Sequence, residues 1–269
     1  MGMKIIRFQN SSGIVQHGAL QTDGSALLIE GDIFGAPCVT AATADVQKLL
    51  SPIAPVSINC IGLNYRRHAA ESGAPVPKWP VLFYKPITAL QHPGDFIEIP
   101  THLASAQVDY ECELAVVIGR VAKNVSKADA LGHVLGYTCA NDVSARDWQR
   151  DWGGSQWCRG KGFDTFCPLG PCLVTTDEIT NPNDLQIKTI VNGETLQDWN
   201  TNDMIFDVST LIEFLSGSTT LLPGTVILTG TPHGVGMARN PPRWLQPGDS
   251  VTIEIEKIGR LTNPVKAEA

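Results

Sequence analysis

One stretch decides the fold of this chain: Asp109-Tyr110-Glu111-Cys112-Glu113-Leu114-Ala115-Val116-Val117-Ile118-Gly119. Its second half is apolar and β-branched and ends at a glycine, which is typical of a strand. Side chains alternate across a strand, so Glu111 and Glu113 share one face. That face continues with Ala115 and Val117, and the other face carries Cys112, Leu114, Val116 and Ile118. Because both faces are apolar beyond the glutamates, we expect a strand that is buried on both sides.

Two carboxylates at the end of a buried strand repel each other and lose their hydration. A hard divalent cation held by oxygen ligands removes both problems; the alternative is that Glu111 and Glu113 face water or pair with arginines. Asp142 supplies a third carboxylate, where an apolar strand over 136–142 gives way to a predicted helix. Strand–helix junctions collect functional groups, although Asp142 can also be an ordinary helix N-cap.

Composition excludes several classes of function. The chain has 269 residues, of which 43% are hydrophobic, and a net charge of −7, which argues against nucleic acid as a partner. No apolar run approaches the roughly 20 residues that span a bilayer, and the N-terminus lacks the apolar stretch of a signal peptide. The seven cysteines are scattered without a C-x-x-C pair, which indicates reduced thiols. We therefore expect a cytoplasmic protein without a membrane or nucleic-acid partner.

Strands outnumber helices and do not alternate with them, which predicts an α+β or β-roll architecture rather than a doubly wound sheet. Short strands are predicted over 4–8, 13–20 and 26–29, followed by a helix near 44–50 and by prolines. This pattern predicts a small N-terminal β-rich subdomain over 1–55 and a catalytic domain over 56–269. A helix start is predicted at 126–129, a hairpin turn at Asn192-Gly193 and a helix from Asp207.

A short helix predicted over 63–73 places His68 and Glu71 on one face, three residues apart. A carboxylate beside a histidine fixes its tautomer and raises its basicity, as a general base requires. A solvated surface pair is the alternative. Residues 72–80 are rich in Gly and Pro and form either a plain connector or a mobile flap over the site, with Trp79 as its apolar tip.

Two glycine-rich segments are further candidates. Lys161 lies between two glycines in a segment over 153–172 that we expect to be irregular, which indicates either a close backbone approach around a cation that binds an acidic group or a flexible loop. The segment 230–236 contains three glycines and Thr231 after a strand over 225–228, so its N–H groups could form a nest for an anion. Its glycine spacing is not that of a dinucleotide-binding loop.

Five motifs in order resemble the fumarylacetoacetate hydrolase family over about residues 55–260. They are Gly62-Leu63-Asn64-Tyr65 with His68 and Glu71, the stretch from Tyr110 to Gly119, the stretch from Asn141 to Gln149, Lys161-Gly162-Phe163-Asp164, and the stretch from Gly230 to Gly236. The chain is similar to the domain-containing, acylpyruvase-like branch rather than to the longer enzyme of tyrosine breakdown.

The resemblance implies a mixed β-sandwich roll, a homodimer and a site for Mg²⁺, with Mn²⁺ or Ca²⁺ as alternatives. By motif match it implies the metal ligands Glu111, Glu113 and Asp142. It also implies the catalytic residues His68, Glu71 and Lys161 and the substrate contacts Gln149, Thr231, Tyr65 and Arg146.

A β-diketo acid or 2-oxo acid can chelate such a cation, which stabilises the enolate that develops when a C–C or C–H bond breaks. With His68 and Glu71 activating water and Lys161 near the oxyanion, the resemblance implies hydrolysis of a C–C bond in an acylpyruvate- or fumarylpyruvate-like acid. The alternative needs no attacking water: oxaloacetate decarboxylation or tautomerisation, or isomerisation of a 2-oxo-dienoate. A third possibility is a catalytically silent metal-binding homologue, against which the presence of His68, Glu71 and Lys161 argues.

Overall fold

The computed structural model describes residues 2–154 and 156–269, so residue 1 of the predicted N-terminal subdomain and residue 155 of the predicted loop lie outside the described residues. The first strands are β1 Lys4–Gln9, β2 Val15–Leu20, β3 Ala26–Glu30, β4 Cys38–Thr43, β5 Lys48–Leu50, β6 Ser57–Gly62, β7 Val81–Lys85, β8 Leu90–Gln91, β9 Ile97–Ile99 and β10 Val108–Asp109. They are followed by β11 Cys112–Ile118, β12 Val134–Asn141, β13 Ser144–Ala145, β14 Cys167–Thr175, β15 Gln186–Val191, β16 Glu194–Asn200, β17 Thr225–Leu228, β18 Ser250–Ile255 and β19 Gly259–Ala267.

The helices are short. The α-helices are α1 Arg66–Glu71, α2 Trp157–Lys161 and α3 Val208–Ser216. A π-helical turn covers Trp148–Trp152, and 3₁₀ turns cover Ile87–Ala89, Ala130–His133, Thr201–Asp203 and Gly236–Ala238. The strand-rich architecture with few helices confirms the predicted α+β class. None of the helices in the described residues has the length and hydropathy needed to cross a membrane.

Two sheets pack face to face. Among the described residues, twelve strands form one mixed sheet in the order β4-β3-β2-β1-β14-β12-β11-β17-β6-β7, with β5 beside β1 and β8 beside β14. The smaller sheet has the order β16-β15-β18-β19-β9 and packs against β11, β12 and β14. The predicted β-sandwich is therefore present.

The central strand β11 is buried over its whole length, as predicted. Cys112, Leu114, Val116 and Ile118 join the core between the two sheets. Ala115 and Val117 join a second core on the opposite side of the large sheet. A strand between two apolar layers holds its register firmly, because a slip of one residue would exchange its two faces. The carboxylates at the start of β11 are thus placed by a rigid element.

The N-terminal strands form as predicted, but the helix near 44–50 is wrong. Residues 48–50 form β5 instead, which pairs with residues 7–9 of β1. Pairing with the part of β1 that lies beyond its contact with β14 overrides a weak helical preference. Because β1 also pairs with β14, the N-terminal strands extend the large sheet. A division of the chain at residue 55 remains a prediction.

Two other predicted helices also differ. After Ser126 only a 3₁₀ turn forms, since Val134 is taken into the ladder between β11 and β12. After Asp142 the chain first makes β13 and then the π-helical turn. The predicted hairpin is confirmed, with Asn192 and Gly193 at φ 51° and 85°. The helix from Asp207 is confirmed too: the Asp207 side chain accepts the N–H of Thr210.

The pairing of strands collects four chain segments at one edge of the large sheet. β11 runs antiparallel to β12 and β17, and β17 runs parallel to β6. The beginning of β11 therefore lies beside the ends of β12, β17 and β6. Residues at the start of β11 and at the ends of β12, β17 and β6 form the candidate active site.

Candidate active site

Glu111, Glu113 and Asp142 meet at this edge. Each is buried, and one carboxylate oxygen from each lies within 4.8 Å of the others. The N–H of Asp142 donates to the carbonyl of Glu111 at 3.0 Å, which continues the ladder between β11 and β12 past the end of the strands. The predicted trio of carboxylates is thus assembled by strand pairing.

Three buried cations surround the trio. Nζ of Lys161 lies 2.7 Å from Oε2 of Glu111 and 2.8 Å from Oδ2 of Asp142. A guanidinium nitrogen of Arg146 lies 2.6 Å from Oε1 of Glu111. Nζ of Lys85 lies 2.7 Å from Oδ1 of Asp142. Within the described part of the chain, Glu113 has no cationic partner and accepts the N–H of Gly230 at 2.7 Å.

The two glutamates consequently differ in acidity. Burial opposes the charge of Glu111, but Lys161 and Arg146 together lower its pKa below the ordinary value. Burial raises the pKa of Glu113 well above the ordinary value, and the nearby Asp142 and Glu111 raise it further. Burial disfavours the charge on Lys161, yet its carboxylate neighbours raise its pKa. Glu113 is therefore the carboxylate whose charge is not compensated.

The donor set fits a hard divalent cation. All three groups supply carboxylate oxygens, which Mg²⁺, Mn²⁺ and Ca²⁺ prefer over nitrogen or sulfur. A cation at this point would also compensate the charge of Glu113. We conclude that these three residues can hold a divalent cation.

The predicted dyad forms on α1. Nδ1 of His68 lies 2.7 Å from Oε1 of Glu71, and Glu71 also accepts the N–H of Gly234. The side chain of Asn64, just before α1, does not cap the helix: its amide donates to the carbonyls of Thr229 and Phe206 and so ties α1 to the end of β17. Gly73 follows the helix with φ 64°.

A cavity of about 220 Å³ joins His68 of the dyad to Glu111 and Glu113. His68, Glu111, Glu113, Lys161, Gln149 and Thr231 are among its lining residues. Ser72 and Ala74, from the first part of the predicted flap, also line it, whereas Trp79 lies outside and stacks on Phe214 with ring centroids 6.4 Å apart. The structure thus places the beginning of the flap, and not its tryptophan, at the cavity.

Lys161 ends the short helix α2, so the predicted irregular segment is ordered at this point. A Cβ on Gly160 would lie 2.4 Å from the backbone nitrogen of Gln149. The glycine therefore allows α2 to approach the π-helical turn closely, and the approach brings Lys161 to the carboxylates. This confirms the predicted role of the glycine beside Lys161.

The loop over 230–236 does bind anions, but they are the protein's own carboxylates. The N–H of Gly230 binds Glu113, that of Gly234 binds Glu71, and that of Gly236 donates to Asp109 at 2.7 Å. We expected N–H groups of this loop to form a nest for a ligand anion. That expectation is wrong for these three N–H groups, because each already binds a carboxylate of the protein. The hydroxyl of Thr231 still lines the cavity and is oriented by Nε2 of Gln197 at 2.9 Å.

The remaining predicted contacts separate into two groups. Gln149 and Arg146 line the cavity, and a guanidinium nitrogen of Arg146 donates to Oε1 of Gln149 at 2.9 Å. Arg146 also pairs with Asp109 and Glu111. Tyr65 is fully buried in the core and is not among the lining residues of the cavity.

Sequence reasoning missed Lys85, Asp109 and Gln197. Lys85 is a charged residue at the end of an apolar strand, directly before a proline, and this pattern was a usable signal. Asp109 stands in the deciding stretch, but its partners Arg146, Gly236 and Met237 are distant in sequence. Gln197 comes from the smaller sheet, and no local pattern marks it.

Comparison with known proteins shows the protein family to which this chain is related. Residues 57–266 match the family model of the fumarylacetoacetate (FAA) hydrolase C-terminal domain, and residues 3–52 match the model described as Rv2993c-like, N-terminal. The mitochondrial oxaloacetate tautomerase fahd2 of Xenopus laevis is 52% identical over 219 residues, which cover 81% of this chain and 68% of the relative.

Two solved structures are similar over nearly the whole chain. The 2-hydroxyhepta-2,4-diene-1,7-dioate isomerase from Mycobacterium marinum is 41% identical, with a TM-score of 0.86 over 99% of both chains. The 5-carboxymethyl-2-hydroxymuconate delta-isomerase from Mycobacterium smegmatis is also 41% identical, with a TM-score of 0.86 over 99% of this chain and 100% of the other.

The fold and the buried acidic site define an enzyme of the β-sandwich-roll class. This chain belongs to the fumarylacetoacetate hydrolase family, as the resemblance implied. The named relatives are a tautomerase and isomerases, so they support the alternative reaction better than the expected C–C hydrolysis.

Proposed function

We propose that this chain is a cation-dependent tautomerase of 2-oxo acids, and that keto–enol exchange of oxaloacetate is its reaction. One observation carries the proposal: His68, the histidine of the dyad, lines the same small cavity as Glu111 and Glu113, two of the three clustered carboxylates. Tautomerisation moves one proton between carbon and oxygen, so it needs a base and a stabilised oxyanion but no positioned water. The oxaloacetate tautomerase at 52% identity supports the same reaction.

Glu111, Glu113 and Asp142 would hold the cation. When bound, it supplies Lewis-acid stabilisation of the charge that develops on the 2-oxo oxygen. Mg²⁺ is the proposed ion, because three carboxylates with room for oxygen atoms of the substrate suit its coordination. Lys161 adds a positive charge at the same place, since its ammonium contacts two of the three carboxylates.

His68 is the proposed base. Its Nδ1 is held by Glu71, so Nε2 is the nitrogen available to take a proton from the carbon next to the 2-oxo group. Glu71 stabilises the imidazolium that forms. The imidazolium then gives the proton to the enolate oxygen, which yields the enol and restores neutral His68. The reverse sequence converts the enol into the ketone, and no other bond is made or broken.

Gln149 and Thr231 are proposed to position the substrate. The carbonyl oxygen of the Gln149 amide accepts a hydrogen bond from Arg146, so its NH₂ group remains a donor for a substrate oxygen. The hydroxyl of Thr231 accepts from Gln197 and can still donate its own hydrogen. Both groups line the cavity.

The test compares three reactions in Mg²⁺ and in EDTA: enol–keto equilibration of oxaloacetate, its decarboxylation, and the release of acetate from acetylpyruvate. We expect Mg²⁺-dependent equilibration of oxaloacetate that exceeds both other reactions. Faster cleavage of acetylpyruvate would overturn the proposal in favour of C–C hydrolysis, and faster loss of CO₂ would favour a decarboxylase.

The identity of the metal, the homodimer and the cytoplasmic location remain proposals with separate tests. Metal analysis of the purified protein identifies the ion, sedimentation equilibrium gives the oligomeric state, and microscopy of a tagged chain gives the location. We expect Mg²⁺, two chains per particle and a cytoplasmic signal.

A further inference from the structure

The cations around the cavity are not equally available to a ligand. Arg146 is bound to Asp109, Glu111 and Gln149, and Lys161 is bound to two carboxylates of the cluster. Arg150 lines the same cavity, but its side chain is exposed and forms no hydrogen bond or ion pair with the described residues. Among the described arginine and lysine residues that line the cavity, only Arg150 therefore remains free to bind an anionic ligand.

Arg150 is placed at the rim by the π-helical turn over Trp148–Trp152. A π-helix carries more residues in each turn than an α-helix, and single π-turns occur frequently at functional sites. In this turn Gln149 is buried and Arg150 is exposed, yet both border the cavity. Gln149 therefore offers an amide in the interior of the cavity, and Arg150 offers a guanidinium at its entrance.

Charge at the site indicates what Arg150 binds. Four buried carboxylates, Asp109, Glu111, Glu113 and Asp142, face three buried cations, Lys85, Arg146 and Lys161. The protein's own carboxylates thus outnumber the buried cations, and the two of these cations that line the cavity, Arg146 and Lys161, are already paired with them. A second carboxylate on the substrate requires one more cation, and Arg150 supplies it.

We propose that Arg150 binds the second carboxylate of a 2-oxo dicarboxylic acid and so selects dicarboxylic over monocarboxylic substrates. The inference rests on the proposed function for the orientation of the substrate, with its 2-oxo group at the carboxylate cluster and its other end at the rim. A guanidinium suits this role because its planar fork forms two parallel hydrogen bonds with a carboxylate.

The kinetic test uses Arg150→Met, which keeps the length of the side chain and removes its charge, and Arg150→Lys as the conservative variant. Arg120→Met is the matched control: it changes the net charge equally, but Arg120 is exposed just beyond the other end of β11. The substrates are oxaloacetate and its monoester in which the carboxylate remote from the 2-oxo group is esterified.

For Arg150→Met we expect KM for oxaloacetate to rise by about tenfold or more, because a charge-assisted pair is lost, while kcat changes by less than about twofold. KM for the monoester should stay unchanged. Arg150→Lys should recover part of the loss. An equal rise of KM for both substrates, or none for oxaloacetate, would overturn the inference.

A binding test separates this inference from the proposed function. Malate and lactate are 2-hydroxy acids with two and one carboxylates, and neither has a 2-oxo group to tautomerise. In Mg²⁺, malate should raise Tm of the wild type more than lactate does, and Arg150→Met should abolish the difference. If this happens but the wild type does not equilibrate oxaloacetate, the proposed function fails and the role of Arg150 stands. If the wild type equilibrates oxaloacetate and Arg150→Met behaves like Arg120→Met in both tests, the inference about Arg150 fails and the proposed function stands.

Discussion

Glu71 holds the ring of His68 from one helical turn further along α1, with Oε1 2.7 Å from Nδ1. Because a carboxylate only accepts hydrogen bonds, the contact places the proton on Nδ1 and leaves Nε2 as the basic nitrogen. The N–H of Gly234 binds the same carboxylate and keeps Glu71 in place. The dyad is therefore oriented before any substrate enters.

Replacement of the base should reduce tautomerisation strongly. For His68→Gln we expect kcat to fall on the order of 10²- to 10⁴-fold, the range for a general base. The affinity for Mg²⁺ should change little, because His68 is not one of the three carboxylates. His102→Gln is the control, since His102 is exposed and outside this cavity. Retention of full activity in His68→Gln would assign the proton transfer to another group.

Glu111 and Glu113 should respond differently to neutralisation. In EDTA, Glu113→Gln should leave the free energy of unfolding within about 1 kcal/mol of wild type, because the amide still accepts the N–H of Gly230. Glu111→Gln should cost about 3 kcal/mol, because Lys161 and Arg146 lose a buried partner. Denaturant unfolding measures both values, and titration calorimetry should show weaker Mg²⁺ binding in both variants. Equal destabilisation would contradict the described charge pairing.

Lys85 should be a strong determinant of stability. It pairs with Asp142 and donates to the carbonyls of Val143, Phe166 and Lys161 in the interior. We expect Lys85→Met to cost about 3–5 kcal/mol in unfolding experiments, because it leaves these acceptors without a donor.

Lys48→Met is the matched control for Lys85→Met. Lys48 pairs with Asp95 at 2.8 Å, but both side chains are accessible to solvent. Exposed pairs contribute about 0–1 kcal/mol, so this variant should be nearly neutral. Similar losses of unfolding free energy in the two variants would mean that burial of the ion pair does not determine its contribution to stability.

Stability should fall in mild acid, in part through His92. Burial lowers the pKa of His92 from 6.5, and its Nδ1 accepts the N–H of Ser51 at 3.1 Å. The unfolded chain therefore binds a proton more readily than the folded chain, so the contribution of His92 is present above about pH 6.5 and is lost as the pH falls.

The pH dependence of unfolding isolates this contribution. We expect His92→Gln, whose amide oxygen can accept the same N–H, to flatten the dependence of the unfolding free energy between about pH 7 and pH 5. His102→Gln is the exposed control. A slope in His92→Gln that matches wild type would show that other groups cause the loss of stability.

Local patterns predicted the parts of the fold and site that depend on near neighbours in sequence. The alternation in β11 predicted which residues enter each core, and the turn at Asn192-Gly193 predicted the hairpin. The spacing of His68 and Glu71 predicted that the two side chains lie on one helical face and can meet, and the resemblance supplied their role as a dyad. The resemblance supplied the metal ligands, and strand pairing brings them together.

Distant pairings explain what the sequence did not predict. β5 forms because residues 7–9 of β1 lie beyond the pairing of β1 with β14, and Val134 enters a strand because Ile118 lies opposite it. Neither partner is near in sequence, so the local helical pattern was misleading. The choice between hydrolysis and tautomerisation depends on whether water is positioned, and residue types alone do not encode that position.

The loop over 230–236 uses main-chain groups to hold Glu113, Glu71 and Asp109, which belong to three different parts of the candidate active site. Every amino acid except proline presents the same amide, so the other side chains of the loop do not hold these charges. Glycines are needed at 230 and 234, where φ is 93° and 94°, and at 236, where a Cβ would collide with the backbone of Arg243. His233 and Met237 can therefore drift during evolution without loss of the chemistry. A single loop of this kind lets an enzyme lineage explore new substrates while its reaction is inherited unchanged.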